Sequence, residues 1–372
     1  MHLALIRQRL STLGGAENTL LALTHELLQQ GHAVTLVTAE PQPPPSLAGR
    51  PNLHWQPVPV WPGKVGRLLG FAFNTRRVLR QGQYDLVFSL ERTLRQDAYR
   101  AGDGCHREWL QRRRPFDSIP ERLHLAASPF HRTLLGLEKI LFHDPGLRLV
   151  IANSRQVAAE VMRHYQVPED NIRVIYNGVD RERFAPERLA ALAKDPQPPT
   201  ILFVGSGFRR KGLNFLIAAL SEMQTKESHL LVVGQGRTSR YQRQARQLGV
   251  AHRVRFLGPQ PRVERYYAQA RVLALPTIYD PCSNVVLEAL AGGLPVVTTA
   301  ANGASEFIRP GENGAILARP DDLTGLAAAL DEFLARAADP LVQRSALEAV
   351  AHLSWPQTVT ETLVALQAVA GI

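Results

Sequence analysis

The stretch Tyr279–Thr299, YDPCSNVVLEALAGGLPVVTT, sets two carboxylates, Asp280 and Glu288, around the start of an apolar helical pattern. If that helix begins near Ser283 or Asn284, either residue is a suitable N-cap, and the backbone N–H groups from Ser283 to Val286 form an anion cradle. Asp280 stands ahead of the cradle, within reach of hydroxyls on a group bound there. Glu288 falls about one turn inside, between Leu287 and Ala289, where a buried carboxylate needs hydrogen-bond donors. Paired ribose or sugar hydroxyls are such donors. A surface helix with a solvent-facing glutamate is the plainer reading, but two acids framing one cradle weigh against it.

Two further loops have a strand before and a helix after. In GSGFRRKGL (Gly205–Leu213), three cations, Arg209, Arg210 and Lys211, precede a helix N-terminus. The positive end of a helix dipole disfavours cations unless an anion sits with them. A solvent-exposed basic turn is the bland alternative. The loop's place at a strand's carboxyl end, where doubly wound sheets bind ligands, favours an anion site. The other loop, STLGGAEN, holds the Gly14-Gly15 turn. It lacks the GxGxxG spacing, so a plain tight turn reads as well as a phosphate site.

These loops need elements to hold them. HLALI (2–6), AVTLVT (33–38), DLVFS (85–89) and LVIANS (149–154) read as buried strands, and Ala16, Leu20, Leu23 and Leu27 mark one face of a helix ending at Gly31. The proline-rich piece 41–66 reads as irregular connection with an edge strand. After RVIYNGVD, the polar RERFAPERLAALAKDPQPP reads as an interdomain connection. The alternation then restarts with strands at 201–206, 230–234, 254–258, 272–276 and 295–299, with helical patterns at 213–220, 241–248, 263–270 and 284–291. A final amphipathic helix starts at Trp355 and carries Val359, Leu363 and Leu366. Two such series imply an α/β chain of two Rossmann-like, doubly wound domains facing across a cleft. The expected division is 1–175 with the helix 355–372 packing back on it, and 176–354.

A chain of 372 residues suits two domains, since single cores stop growing at about 250–300 residues. Two cysteines, Cys105 and Cys282, are too few for a disulfide framework and suggest a reducing compartment. No signal-peptide pattern and no run of about 18 apolar residues is present, so the expected location is cytoplasmic. The formal net charge is +10, and residues 61–150 hold sixteen Lys/Arg against nine Asp/Glu. The densest piece is Arg107 with Arg112, Arg113 and Arg114, interleaved with Trp109, Leu110 and Phe116. A solvated basic face is the first explanation; attraction to anionic lipid headgroups or an acidic, phosphorylated substrate is the sharper one. Zinc, RNP and helix-turn-helix signatures are missing, which disfavours nucleic acid.

Taken together, an acid, seven residues, then Glu, followed by A-x-G-x-P-V-V (Asp280, Glu288, EALAGGLPVVTT) resembles the retaining nucleotide-sugar glycosyltransferases of the GT-B fold in the large family numbered four. GGAENTL, GHAVTLVT, VIANS, VIYNGVD, the strand–G–x5–KG loop, VRFLG and the Trp355 helix match as well, so the resemblance spans most of the chain. YDPxxNVVLEAL together with DxYRAGDG (97–104) is similar to enzymes that extend the inner core of lipopolysaccharide, of the core heptose glucosyltransferase type.

The resemblance implies a donor, a nucleotide diphosphate sugar such as a UDP-sugar, with no separate cofactor. It implies that Glu288 holds the ribose hydroxyls, that Asp280 and the backbone of Cys282, Ser283, Asn284, Val285 and Val286 hold the transferred sugar and β-phosphate, and that Lys211 and Arg210 neutralise the diphosphate. It further implies that the Gly15 amide meets that diphosphate and that Asp103 orients or deprotonates the acceptor, a lipopolysaccharide core or similar glycan. Two positions depart from the family pattern. The first acid is usually Glu, and Ser206 replaces a common arginine, so Arg209 or Arg210 must supply that charge.

No second carboxylate is placed as a nucleophile and no DxD motif occurs, so front-face substitution without a metal is expected. Asp103, Lys211, Arg210 and Asp280 are the expected catalytic set. The basic region 61–150 is expected to bring the enzyme to the inner face of the cytoplasmic membrane. A non-hydrolysing sugar-nucleotide epimerase shares the architecture but consumes donor without acceptor. A catalytically inactive sugar-nucleotide or lipid-binding module binds donor without transfer.

Overall fold

The structure is a computed structural model that describes residues 1–10, 15–193 and 198–371, leaving out the side chains of 15–18. The chain forms two compact units, residues 1–178 with 355–372, and residues 179–354.

The first unit is built on an all-parallel sheet of β1 (His2–Ile6), β2 (Ala33–Thr38), β3 (Leu53–Pro57), β4 (Leu86–Ser89), β5 (Ala98–Ala101), β6 (Leu149–Ala152) and β7 (Ile172–Val174), in the order β3-β2-β1-β4-β5-β6-β7. Alternate side chains of β1 enter opposite layers. Leu3 and Leu5 pack with Leu20, Leu23 and Leu27 of the helix Gly15–Gln29, whereas Ala4 and Ile6 pack with Phe71 and Leu79 of the helix Lys64–Gln81. This is why β1 reads as an unbroken apolar run: both faces of a parallel strand are covered. The helix Trp355–Ala370 belongs to this unit and inserts Val359, Leu363 and Leu366 into the first of those layers. The expected edge strand in 41–66 is β3, at the sheet margin.

The second unit repeats the plan with β8 (Thr200–Val204), β9 (His229–Val233), β10 (Val254–Gly258), β11 (Val272–Leu275), β12 (Val296–Thr299) and β13 (Gly314–Leu317), ordered β10-β9-β8-β11-β12-β13. Strand order reverses between β8 and β11 here, and between β1 and β4 in the first unit, so each sheet has a switch point where the carboxyl ends open to ligands. Three strands escape the sequence pattern. β5 (AYRA) and β7 (IRV) each carry an arginine that interrupts the apolar run, and β13 (GAIL) is short and opens on glycine. The segment read as a connection is not wholly irregular: it carries the helix Pro186–Leu192.

Candidate functional site

In the second unit the switch point brings two sequence-distant stretches together. Gly205–Leu213 leaves the carboxyl end of β8, and Tyr279–Ser283 follows the carboxyl end of β11. The Arg210 carbonyl accepts hydrogen bonds from the Ile278 N–H (2.8 Å) and the Thr277 hydroxyl (2.8 Å). The approach requires glycine at Gly212, whose φ is +77° and where a Cβ would run into the Pro276 carbonyl.

Lys211 and Arg210 are thereby delivered to Asp280. Lys211 Nζ lies 3.0 Å from Asp280 Oδ2 and 3.2 Å from Ser283 Oγ, and Arg210 Nη1 lies 3.2 Å from the same carboxylate oxygen. Arg210 also donates to the Tyr279 carbonyl at 3.0 Å. Lys211, Asp280 and Ser283 are all buried. Burial alone raises the Asp280 carboxyl, but Lys211 and Arg210 outweigh it and hold the group below its ordinary value. The anion that the sequence favours at this basic loop is, in this structure, the Asp280 carboxylate.

The backbone of Asp280 is pinned by Ala301 O and Gly303 N–H, both at 2.9 Å. Buried Asn302 accepts the Ser283 N–H (3.3 Å) and the Ala304 N–H (3.1 Å) through Oδ1. Ser283 occupies the N-cap position of the helix Asn284–Ala291, yet its hydroxyl accepts from Lys211 and makes no side-chain cap. Cys282 and Val286 are buried beside it, and Asn284 and Val285 half-buried. Ser206 is exposed and Arg209 half-buried on the basic loop.

Glu288 lies one turn into that helix and is partly exposed. Its Oε2 accepts the Tyr267 hydroxyl at 2.7 Å. Burial pushes its carboxyl up, and the Tyr267 hydrogen bond, Arg183 and Lys211 offset this only in part. Tyr267, 1% exposed, comes from the short helix Glu264–Tyr267 and packs edge-on against Phe184 with ring centroids 5.0 Å apart. Neither Tyr267 nor Asn302 is singled out by the sequence. In ERYYAQA two tyrosines stand side by side, and burial alone separates Tyr267 from Tyr266.

In the first unit Asp103 sits in the turn after β5, its side chain 59% exposed. The turn is held from both sides: Arg92 Nη2 donates to the Gly104 carbonyl (2.7 Å) and Asn153 Nδ2 to the Gly102 carbonyl (3.0 Å). Arg92 is fixed by Glu138, whose fully buried carboxylate also accepts the Tyr165 hydroxyl and the first backbone N–H groups of the helix His106–Arg113. Burial works against that carboxylate, but Arg92 and these donors keep it below its usual range. Arg7 Nη1, beyond the end of β1, lies 4.0 Å from Asp103 and 3.3 Å from Glu91. Glu91, which the sequence reading missed, is raised by burial, lowered by Arg7 and raised again by Asp103. Gly15 opens the helix Gly15–Gln29, and Gly14 before it lies outside the described residues.

The basic segment is less free than its composition suggests. Arg112 pairs with Glu108 (2.6 Å) and Arg113 with Asp117 (2.8 Å), while Arg113 also covers the Trp109 ring. Arg107 and Arg114 stay exposed. The most exposed apolar groups of the region are Ile119 (71%) and Leu123 (68%), on the helix Ile119–Ala127, with Trp61, Phe73 and Ile140 also facing solvent. Among the described residues no helix is long and apolar enough to cross a membrane, and no group of three His, Cys, Asp or Glu residues is placed to hold a metal ion.

Comparison with known proteins adds an independent line. Residues 13–183 match the model for Glycosyltransferase Family 4, and residues 198–336 match that for Glycosyl transferases group 1. The chain is 27% identical to the lipopolysaccharide glucosyltransferase WaaG of Escherichia coli over 254 residues, covering 65% of this chain and 66% of that protein. The crystal structure of WaaG superposes with a TM-score of 0.81 at 22% identity, covering 98% of this chain and 99% of that one. Anabaena HepE, solved in complex with UDP, gives 0.74 at 19% identity over 99% and 100% of the two chains. At those identities the structures speak for the fold alone. The sequence matches to the first four curated relatives span 48% to 66% of their lengths. The two family models lie in tandem along the chain and the two parallel sheets adopt the GT-B plan, so the chain belongs to the group 1 glycosyltransferases of the GT-B fold.

Proposed function

We propose that the protein is a retaining hexosyltransferase that moves a sugar, glucose or a close relative, from a UDP-sugar to a hydroxyl of a lipopolysaccharide core or similar glycan, without a metal ion. The observation that carries this reading is the convergence of Lys211 and Arg210 on Asp280 and Ser283, at the start of a helix that holds Glu288 one turn further in. A diphosphate has the charge to draw both cations off Asp280. Once released, that carboxylate accepts hydrogen bonds from the hydroxyls of the transferred sugar. Glu288 takes the ribose hydroxyls, and the amides from Cys282 to Val286 face the β-phosphate. The name of the lipopolysaccharide glucosyltransferase WaaG, a sequence relative, supports the choice of glucose and of a lipopolysaccharide acceptor.

In the proposed reaction the acceptor oxygen bonds to the anomeric carbon on the face from which the diphosphate leaves. The C–O bond to the β-phosphate breaks, and the acceptor proton passes to a diphosphate oxygen. Lys211 and Arg210 hold the charge that develops there, which is the larger part of the catalytic work. Asp103 is assigned to the acceptor and the Gly15 amide to the diphosphate on the family resemblance. The direct test is incubation with UDP-, GDP- and ADP-sugars, with and without lipopolysaccharide core acceptors. Transfer with retention supports the reading, and donor turnover without acceptor overturns it.

Asp103→Asn is expected to lower kcat/KM for the acceptor roughly 10- to 100-fold, the effect of losing one hydrogen bond to a charged group, while donor KM stays put. A change in donor KM instead would remove Asp103 from the acceptor role.

The same reading includes peripheral binding at the inner face of the cytoplasmic membrane. Ile119 and Leu123 supply apolar contact, and the exposed arginines of 61–150 supply attraction to anionic headgroups. Binding to anionic vesicles should fall steeply from about 0.1 M to about 1 M salt, as the Debye length contracts from about 10 Å to about 3 Å. Salt-independent binding would count against the electrostatic part.

A further inference from the structure

We propose that Tyr267 is a positioning residue for donor binding: its hydroxyl fixes the Glu288 carboxylate in the ionised state and orientation that reads a pair of ribose hydroxyls. The proposal rests on the reading of Glu288 as a donor contact.

The geometry has three parts. Tyr267 O–H donates to Glu288 Oε2 at 2.7 Å, and among the described residues it is the one side-chain hydrogen-bond donor to that carboxylate. The other carboxylate oxygen is left for a ligand, and a vicinal diol brings the two donors such an oxygen accepts. The ring is buried and lodged edge-on against Phe184, so the hydroxyl is aimed by packing and does not wander. A phenylalanine would keep this packing and remove the hydrogen bond to Glu288 together with the hydroxyl's longer 3.4 Å contact to the Val285 carbonyl.

The electrostatic setting gives that hydrogen bond its consequence. The groups facing Glu288 are Tyr267, Arg183, Lys211 and Asp180. Arg183 is shared, since it pairs with Glu264 at 2.8 Å, and Lys211 is held 3.0 Å from Asp280. Burial favours the protonated carboxyl, and Asp180 pushes the same way. The Tyr267 hydrogen bond is the largest opposing influence. A hydrogen bond donated to a carboxylate stabilises its charged form, so deleting it moves the carboxyl toward protonation. A protonated Glu288 spends an acceptor position on its own proton and holds the diol less well.

The test is the pH dependence of donor KM in Tyr267→Phe, Glu288→Gln and the double variant. At neutral pH, Tyr267→Phe is expected to raise donor KM roughly five- to ten-fold, the size of one hydrogen bond, with kcat little changed. Its acid limb should move to higher pH, and the gap to the parent should narrow as pH rises. A gap that is constant with pH marks a merely structural role and overturns the proposal, as does an unchanged KM. Glu288→Gln should raise KM, flatten the profile and abolish any further effect of Tyr267→Phe in the double variant. A further effect there overturns the proposal. If Glu288→Gln leaves donor KM untouched, the reading of Glu288 itself fails, an outcome distinct from failure of Tyr267 alone.

Discussion

Lys211→Ala should lower kcat about 10²- to 10³-fold, the range found when one preorganised donor to a developing anion is removed. The lysine is the most buried cation of the proposed diphosphate site, and its ammonium already sits between Asp280 and Ser283. Removing it leaves the Asp280 carboxylate with Arg210 alone, so a stability loss of about 1–3 kcal/mol accompanies the kinetic effect. Lys211→Arg is not expected to rescue turnover. The lysine stem runs against Gly205, whose φ is +140° and where a Cβ would meet Lys211 Cδ and Cε, so the channel admits a slim chain ending in a compact charge. Initial rates at saturating UDP-sugar and acceptor, beside thermal unfolding, separate the two effects. Turnover within a few-fold of the parent would remove Lys211 from the charge-stabilising role.

Gly212→Ala should be the most damaging single methyl group in the second unit. Its backbone occupies the left-handed region, and the added Cβ would collide with the Pro276 carbonyl, which is main chain and has no flexible end to yield. Strain and displacement together are expected to cost on the order of 3–5 kcal/mol, enough to leave 179–354 largely unfolded at physiological temperature. Because Gly212 is the hinge between the basic loop and its helix, any folded remnant should have lost the Arg210 link to Ile278 as well. Chemical denaturation read by circular dichroism measures this, and a midpoint near that of the parent would show that the loop relaxes more readily than its packing implies.

How far the sequence anticipated these features depends on whether the cause was local. β1, β2, β4, β6 and five strands of the second series are legible because both faces of a parallel strand are apolar. Of the two loops at the second switch point, 205–213 is legible from the glycines and cations between a strand and a helix, and 279–283 from the acid and cap residues ahead of an apolar helix. The plan of two Rossmann-like units follows from seeing that alternation twice, and the GT-B family from the motif at Asp280–Thr299. What the sequence does not reveal is who partners whom. That Asp280 would hold Lys211, 69 positions away, and its neighbour Arg210 depends on β11 lying beside β8. Glu91 next to Arg7, and Glu138 capping the helix His106–Arg113, are likewise products of strand order and helix packing. The arginine-rich run shows the opposite failure. Charge counted along the chain suggested a free basic patch, while Glu108 and Asp117, a turn away, take two of its members.

The helix Trp355–Ala370 shares a core with Leu3, Leu5 and the first helix, although the whole of 179–354 lies between them in the chain. During synthesis on a ribosome the first 178 residues therefore leave the exit tunnel with one layer of their sheet only partly covered, by the first helix and without Val359, Leu363 and Leu366. The second unit has all of its strands and can fold while the first still waits for Val359, Leu363 and Leu366. The half that begins emerging first is the one that finishes last, and in that interval its exposed leucines are the part of the chain that most needs shielding from other nascent proteins.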